Sequence, residues 1–476
     1  MNVSLLSPEQ IAAVRTASLE ILERIGFVVP HEETLQRFAD AGASVDFAGQ
    51  RVRVPPELVE RSLASAGKQF RIYGRDASRQ AAFGVGRRNY NSIAGEALWV
   101  DAPGAPRRYC TLEDVATAAR FGDALPWIHI VGAMSDPHEI PVAWRCVAVM
   151  AELLRNTTKP ITFWYHDRAS AAFLTEMMVA VRGSEEAARE QPLCYPFLEP
   201  ISPLRFPRNG VDLLYETARL NLPVPIGPMA QMGLSAPATI AGTLAQENAE
   251  ILAGICITQL IRPGMPVCYG GICHAFDMQT TQLIFSGPEQ ALFGVAMTQI
   301  GKSYGLPVYI NVGLTDAKRP DAQAGLEAGV TLMLGAAAGA DIYGHLGISG
   351  ADQATSIEML VLQHEVVSYV ESVLREIEVG PESLAIDELA AVGPGGSFLD
   401  RVHTARNFRK SLWFPQILDR NFYDGWHVLG APSAEERCVW RREELAGRQP
   451  EPLAPDVDRE LTRIVDAAKR RLGGEG

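Results

Sequence analysis

The stretch "GADIYGHLGISG", residues 339–350, reads as a short buried strand that runs straight into glycine. Ile342 and Tyr343 are the β-branched and aromatic types that fill interior strands, and His345 stands where the strand stops. Runs of the same kind precede it. They are "NYNSIAG" from Asn89, "WIHIVGAM" from Trp127, "PITFWYH" from Pro160, "PLCYPFL" from Pro192, "PVPIGPMA" from Pro223, "PVCYGGIC" from Pro266 and "PVYINVG" from Pro307. Helical stretches lie between them, such as "TLEDVATAARFGDAL", "GVDLLYETARLN", "AGTLAQENAEILAGICITQLI" and "GPEQALFGVAMTQIGKSYG". Alternating apolar strands and helices predict a parallel sheet covered by helices. Eight such units in about 270 residues predict a (β/α)8 TIM-type barrel. A doubly wound open sheet is the alternative. Its nucleotide-binding forms lose support, because no G-x-G-x-x-G follows the first strand and no G-x-x-x-x-G-K-[ST] occurs.

Upstream of the barrel pattern, "SPEQIAAVRTASLEILERIG" opens with a capping box at Ser7 and Gln10 and proline at the first helical position. Ile11, Val14, Ile21, Leu22 and Ile25 are predicted to form one helical stripe, stopped by Gly26. "FVVP" and "RVRVPP" are strand-like pieces around a helix that begins near His31, and Pro56 opens another helix. The expected organisation is a helical N-terminal extension over 1–85, a barrel over 86–430 and a C-terminal tail over 431–476.

The totals narrow the class. The chain has 476 residues, 47% hydrophobic and 21% charged, as in a globular protein. The net charge of -13, with no Lys/Arg-rich run, argues against nucleic acid as a partner. An odd count of seven cysteines in a long chain argues against a disulfide framework and for a reducing cytoplasm. The start "MNVSLLSPEQ" lacks the basic and apolar regions of a signal peptide, and no uncharged run is long and unbroken enough to span a bilayer.

In a barrel, chemistry gathers where strands end. That setting turns attention to His345, to Glu96 in "AGEALWVD", and to Trp164, Tyr165 and His166 in "WYHDR". Tyr195, Phe197 and Glu199 lie in "YPFLEP", Tyr269, His274, Phe276 and Asp277 in "YGGICHAFD", and Asp316 in "GLTDAKRPD". Aromatics and carboxylates with few lysines suit a cationic, partly apolar ligand, since aromatic faces hold quaternary ammonium groups through cation–π attraction. The bland alternative for each aromatic, Tyr90 included, is packing, and for His345 it is a core histidine satisfied by backbone. Cys268, Cys273 and His274 offer soft ligands for zinc, though at no familiar spacing. No G-x-S-x-G elbow supports a serine hydrolase.

Longer words carry a resemblance. "LEILERIGFVV", "RVRVPPELVERSLASA", "TLEDVATAARFGDALP", "TIAGTLAQENAEILAGICITQLIRPGMPVCYGG", "GPEQALFGVAMTQI", "GLTDAKRPDAQAG", "HTARNFRKSLWFP" and "DRNFYDGW" occur in order over residues 5 to about 430. In these the chain resembles the trimethylamine methyltransferase family of corrinoid-dependent methyltransferases. The family's founding members carry pyrrolysine. This chain has only the twenty standard residues and is similar to the branch without it, whose members use glycine betaine and other quaternary amines.

The resemblance implies a (β/α)8 barrel, a place in one-carbon metabolism, and transfer of a methyl group from a quaternary amine to cob(I)alamin. The leaving group would be a neutral tertiary amine, so no strong general acid is needed. The cobalamin would be held by a separate corrinoid protein, since "DIYGHLG" lacks the Asp-x-His-x-x-Gly spacing. His345 and Glu96 are implied as catalytic residues. Tyr90, Tyr165, Tyr195, Phe197, Tyr269, Phe276 and Asp316 are candidates for binding the substrate, and no resident metal is expected. The competing expectations are a barrel that binds an onium compound without catalysis, and a methyltransferase for another methylated amine or a sulfonium. A homo-oligomer is expected.

Overall fold

A computed structural model describes residues 2–474. Its centre is a closed ring of eight parallel staves. Asn89–Ser92, Val131–Gly132, Ile161–Thr162, the extended residues 193–198, Val224–Ile226, Val267–Gly271, Val308–Asn311 and Ile342–Leu346 follow one another round the ring. The eighth stave pairs with the first, Ile342 opposite Asn89, which closes the barrel. All eight sequence runs supply a stave. The fourth is the weakest. It joins its neighbours through Ile161 N–H donating to Leu193 O and through the Leu198–Ile226 bridge. Pro192 and Pro196 have no N–H to give a ladder, which accounts for the thin pairing.

Helices wrap the ring, and their ends follow the sequence signals. Thr111 caps Leu112–Ala124 in a capping box with Asp114, Pro288 opens Pro288–Ser303, and Gly339 ends Ala322–Ala338 in the left-handed region. The first helix, Pro8–Glu20, has the expected capping box at Ser7. The stripe drawn through Ile25 needs correction. Residues Ile21–Ile25 form a π-turn closed by Gly26 N–H donating to Ile21 O, and Ile25 is 54% exposed while Leu22 is buried. The wider turn advances the chain by an extra residue and rotates Ile25 to solvent. The N-terminal segment also contains a three-stranded antiparallel sheet, Phe27–Val28, Arg51–Arg53 and Ser44–Asp46.

Phe70–Tyr73 and Gln80–Phe83 form a hairpin that plugs one end of the barrel. Its Ile72, Ala81 and Phe83 pack with the inward-facing Ile130, Tyr195, Cys268, Tyr309 and Ile342 as one apolar cluster. Phe83 meets the Tyr195 ring edge-on at 6.4 Å between centroids. Full burial of such a side chain contributes about 1.5–3 kcal/mol. The plugged end carries the stave starts, so the barrel is open only where the staves finish. There, small sheets not foreseen from the sequence build the rim. Leu98–Val100 and Arg107–Tyr109 join Ile348–Ser349 and Ala354–Thr355, while Gln231–Met232 joins the hairpin His274–Asp277 and Gln282–Ile284. Among the described residues, no helix is long and apolar enough to cross a membrane.

Candidate active site

A cavity of about 560 Å³ opens at the stave ends, lined by residues that include Trp164, Tyr165, Phe197, Glu199, Met229 and Gln231. Buried carboxylates on Ile240–Ile261 hold its loops. Glu247 accepts hydrogen bonds from Ala230 N–H and Ile272 N–H, and Glu250 from Leu204 N–H and the Ser202 hydroxyl. Each of these acids therefore fixes rim loops to one rigid helix.

The inner wall is aromatic. Trp164 stands edge-on to Phe197 at 6.3 Å and to His345 at 6.2 Å between centroids, and donates its indole N–H to Gly95 O at 2.8 Å. Tyr309 lies 5.7 Å from Phe197 and 5.6 Å from His345. A register shift between Tyr343 and Leu346 breaks the plain alternation of the eighth stave and turns His345 into this group. Gly344 is required beside it, because a Cβ there would collide with Asn91 Oδ1 and the Tyr309 hydroxyl. Four buried polar atoms in this part of the barrel, Asn91 Oδ1, Tyr309 Oη, Asn311 Oδ1 and His274 Nδ1, have no hydrogen-bond partner. Such atoms cost about 1–3 kcal/mol each when unsatisfied, so a polar ligand that reaches them gains accordingly.

Carboxyl groups supply the charge. Glu96 is pushed up to about 10 by burial and by the neighbouring Asp352 carboxyl. Asp352 is itself raised by burial. Glu199 is pushed up to about 7 by burial and by Asp352. Burial therefore keeps Glu96 protonated near neutral pH and brings Glu199 into its titration range there. The loop carrying Asp352 holds Ala351 and Asp352 at φ of 57° and 63°, the left-handed region where non-glycine backbone is strained. His345 falls to about 3 through burial, so it is neutral at working pH and can donate only one N–H.

The structure thus groups His345, Glu96, Tyr165, Phe197 and, deeper in the barrel, Tyr195. It does not bring the other sequence candidates here. Tyr90 points outward, donating its hydroxyl to Glu371 Oε1 at 2.6 Å beneath the helix layer. Tyr269 likewise faces outward and donates to Asn248 Oδ1 at 2.9 Å. Asp316 accepts from Phe285 N–H and Ser286 N–H and braces a rim loop. Phe276 is half-buried on the rim hairpin, outside the cavity wall. Cys268 faces the barrel interior and Cys273 the outer core, so with His274 they do not form the zinc set considered from sequence. Among the described residues, no three His, Cys, Asp or Glu side chains come together as metal ligands. Trp164 and Glu199 stood in the strand-end inventory without a role. Asp352 and Tyr309 went unnoticed, and the glycines flanking "GISGAD" were the only signal of a sharply bent loop at Asp352.

A cavity with aromatic walls and titratable acids lies at the stave ends of a plugged (β/α)8 barrel, the face where enzymes of the barrel class carry their active sites. Comparison with known proteins adds the family. The profile of trimethylamine methyltransferases matches residues 1–473, and the chain belongs to that family and is a methyltransferase. It is 29% identical over 474 residues to the glycine betaine methyltransferase of Desulfitobacterium hafniense (strain Y51), covering 99% of this chain and 98% of that one. It is 30% identical to the trimethylamine methyltransferase of Methanosarcina barkeri (strain Fusaro / DSM 804), covering 100% and 97% respectively. The crystal structure of the monomethylamine methyltransferase of Methanosarcina barkeri overlays with a TM-score of 0.48 at 10% identity, over 98% of this chain and 93% of that one.

Proposed function

We propose that the enzyme moves a methyl group from a quaternary amine, glycine betaine or a similar betaine, to cob(I)alamin carried by a separate corrinoid protein, and that it works in the cytoplasm. The observation that carries this reading is the pairing of two kinds of wall. Trp164 and Phe197, with Glu199 beside them, offer quadrupoles and negative charge to a trimethylammonium group. The Tyr309 hydroxyl and the His345 ring, one ring deeper, offer neutral donors to a carboxylate. A betaine carries both ends. The corrinoid, when docked, supplies a low-valent cobalt that accepts the methyl cation equivalent. The chain's own residues bind the onium group, aim one methyl outward and exclude water. Because the leaving group is a neutral tertiary amine, the neutral state of His345 is no handicap. Seven unpaired buried thiols accord with a reducing compartment.

No Lys or Arg lines the cavity, which favours as second reading an onium or sulfonium substrate without a carboxylate. One assay separates the two. Purified enzyme is mixed with chemically reduced cob(I)alamin and, in turn, glycine betaine, proline betaine, carnitine, γ-butyrobetaine, choline, trimethylamine and dimethylsulfoniopropionate. Methylcobalamin absorbance with a betaine supports the reading. Turnover only with choline or trimethylamine moves it to the second. Tight calorimetric binding of one compound, with no methyl transfer even when cell extract supplies the corrinoid protein, overturns catalysis in favour of a binding barrel.

A further inference from the structure

The plugged end of the barrel carries a second cavity, of about 810 Å³, beside the turn of the plugging hairpin. Three separate pieces of chain build it. The hairpin turn brings Arg79 and Gln80, and the segments entering the first two staves bring Arg87 and His129. The loop between helices Ala434–Leu445 and Pro455–Leu472 brings Arg448. That loop is pinned in place by Arg75, which donates to Thr157 O and to Glu451 O. The walls run against the charge of the chain. The sequence has 56 Asp and Glu to 43 Lys and Arg, yet here four arginines and Lys159 face one acid, Asp123, among the described residues.

Part of this charge is already engaged. The Lys159 ammonium donates to Gly122 O, Leu125 O and Ile128 O and closes the negative end of helix Leu112–Ala124. Arg120 pairs with Glu113 at 2.8 Å. Asp123 accepts from the Thr157 hydroxyl and from the Thr158 N–H and hydroxyl. The other three guanidiniums are not engaged. Among the described residues, Arg79, Arg87 and Arg448 donate no side-chain hydrogen bond, and Asp123 stands 3.7 Å from Arg79, beyond hydrogen-bond reach. Elsewhere on this surface arginines close on acids, as Arg108 does on Asp114 and Arg155 on Asp458. Like charges gathered round one cavity repel unless an anion neutralises them, and they raise the local concentration of anions. His129 adds an oriented donor. Its Nδ1 accepts Tyr90 N–H at 3.2 Å, which leaves the proton of the neutral ring on Nε2. An adjoining cavity of about 330 Å³ shares Gln80, Arg87 and His129 and is lined by the half-buried Trp127, a flat apolar face next to the charges.

We propose that this cavity binds a small molecule with two or three linked phosphate groups, free or carried on a nucleoside, at a site separate from the mouth of the barrel. Guanidinium forks match phosphate oxygens two by two, where an ammonium offers only a point charge. A single phosphate, at about −2 charge, leaves three forks unbalanced, and linked phosphates do not. The volume suits a small molecule of that size, since such sites run from about 300 to 1,000 Å³. The bound anion would bridge the hairpin turn, the stave entries and the loop at Arg448. It would therefore clamp the plug from outside, without touching the groups that hold the methyl donor.

The test uses the full-length enzyme at low salt, titrated by calorimetry with pyrophosphate, ADP and ATP, and with inorganic phosphate, sulfate and citrate as controls. Pyrophosphate or a nucleotide should bind with a dissociation constant below about 100 μM, and the controls at least about 10-fold more weakly. The bound polyphosphate should also raise the thermal midpoint, as any ligand of the folded state does. Pyrophosphate as tight as the nucleotides assigns the free polyphosphate. Tighter nucleotides, with the gain lost in Trp127→Leu, assign the nucleoside form. Arg87→Ala/Arg448→Ala should weaken binding at least about 30-fold, because each change removes charge-assisted bonds. Both side chains are exposed and bond to nothing in the chain, so fold and methyl transfer without the ligand should hold. Arg87→Lys/Arg448→Lys should recover only part of the affinity. No binding of pyrophosphate or nucleotide at about 1 mM overturns the inference. So does binding that sulfate or citrate equals, or binding that the double alanine variant leaves intact.

Discussion

Glu96 and Asp352 lie 256 positions apart in the chain and act on each other as neighbouring buried carboxyls at the barrel mouth, with Asp352 also acting on Glu199. Asp352 acts on both other acids, and buried carboxyls that share such a neighbour resist ionising together. The array therefore holds protons in the free enzyme.

Binding should consequently depend on pH in a stated direction. Below about 7 Glu199 is protonated and attracts no cation, and above it the carboxylate forms. The dissociation constant for the substrate, measured by calorimetry, should fall about 3- to 10-fold between pH 6 and 8, the scale of one partly screened charge. Glu199→Gln should flatten the curve. A profile that rises with pH would place the cation away from Glu199.

Stability of the free enzyme should run the other way. Glu96, Asp352 and Glu199 all have folded pKa values above their ordinary ones, so the folded state holds more protons than the unfolded state once pH exceeds about 4.5. Their contribution is complete below that pH and is lost as pH rises toward 7 for Glu199 and about 10 for Glu96. Chemical denaturation at several pH values, with Glu96→Gln as control, should show the variant losing less stability than wild type between pH 6 and 9.

Replacing His345 by Ala removes a ring that Trp164 and Tyr309 pack against. Methyl transfer should drop about 100-fold through lost positioning, while the thermal midpoint moves only as about 1–2 kcal/mol of lost packing requires. Wild-type turnover in this variant would return His345 to the status of a core residue.

Trp164→Leu keeps apolar volume and deletes the indole face and its bond to Gly95. Affinity for the quaternary amine should weaken by about 1–2 kcal/mol, or roughly 5- to 30-fold. Equal affinity would assign the cation to another wall.

Gly344→Ala should destabilise by about 1–3 kcal/mol, because the added methyl displaces Asn91 and Tyr309. The thermal midpoint should fall, and activity should fall with it, since Tyr309 cannot move without moving Phe197 and His345.

The barrel was readable because most staves are short apolar or aromatic runs and most of the helices between them open at a capping residue or a proline, and both signals are local. What a strand does with alternate residues is not local. Tyr90 and Tyr269 were placed at the site on chemistry alone, yet their staves turn them outward beneath helices, while Asn91 on the same stave faces in. His345 falls on the useful side only through the register shift after Tyr343, which no residue type announces. The Glu96–Asp352 pair depends on two loops from opposite ends of the barrel sequence meeting at closure. The rim sheets pair strands of two to four residues, too short to leave a period.

The hairpin of residues 70–83 has a kinetic consequence. It makes the barrel a vessel with one neck. The methyl donor and whatever accepts its methyl must use the same opening, so they cannot arrive in arbitrary order. On the proposed function, the small molecule would have to be inside before the acceptor settles, and the demethylated product would stay trapped until the acceptor lifts away. Turnover should then be compulsory-ordered, with an acceptor in excess inhibiting by corking an empty enzyme.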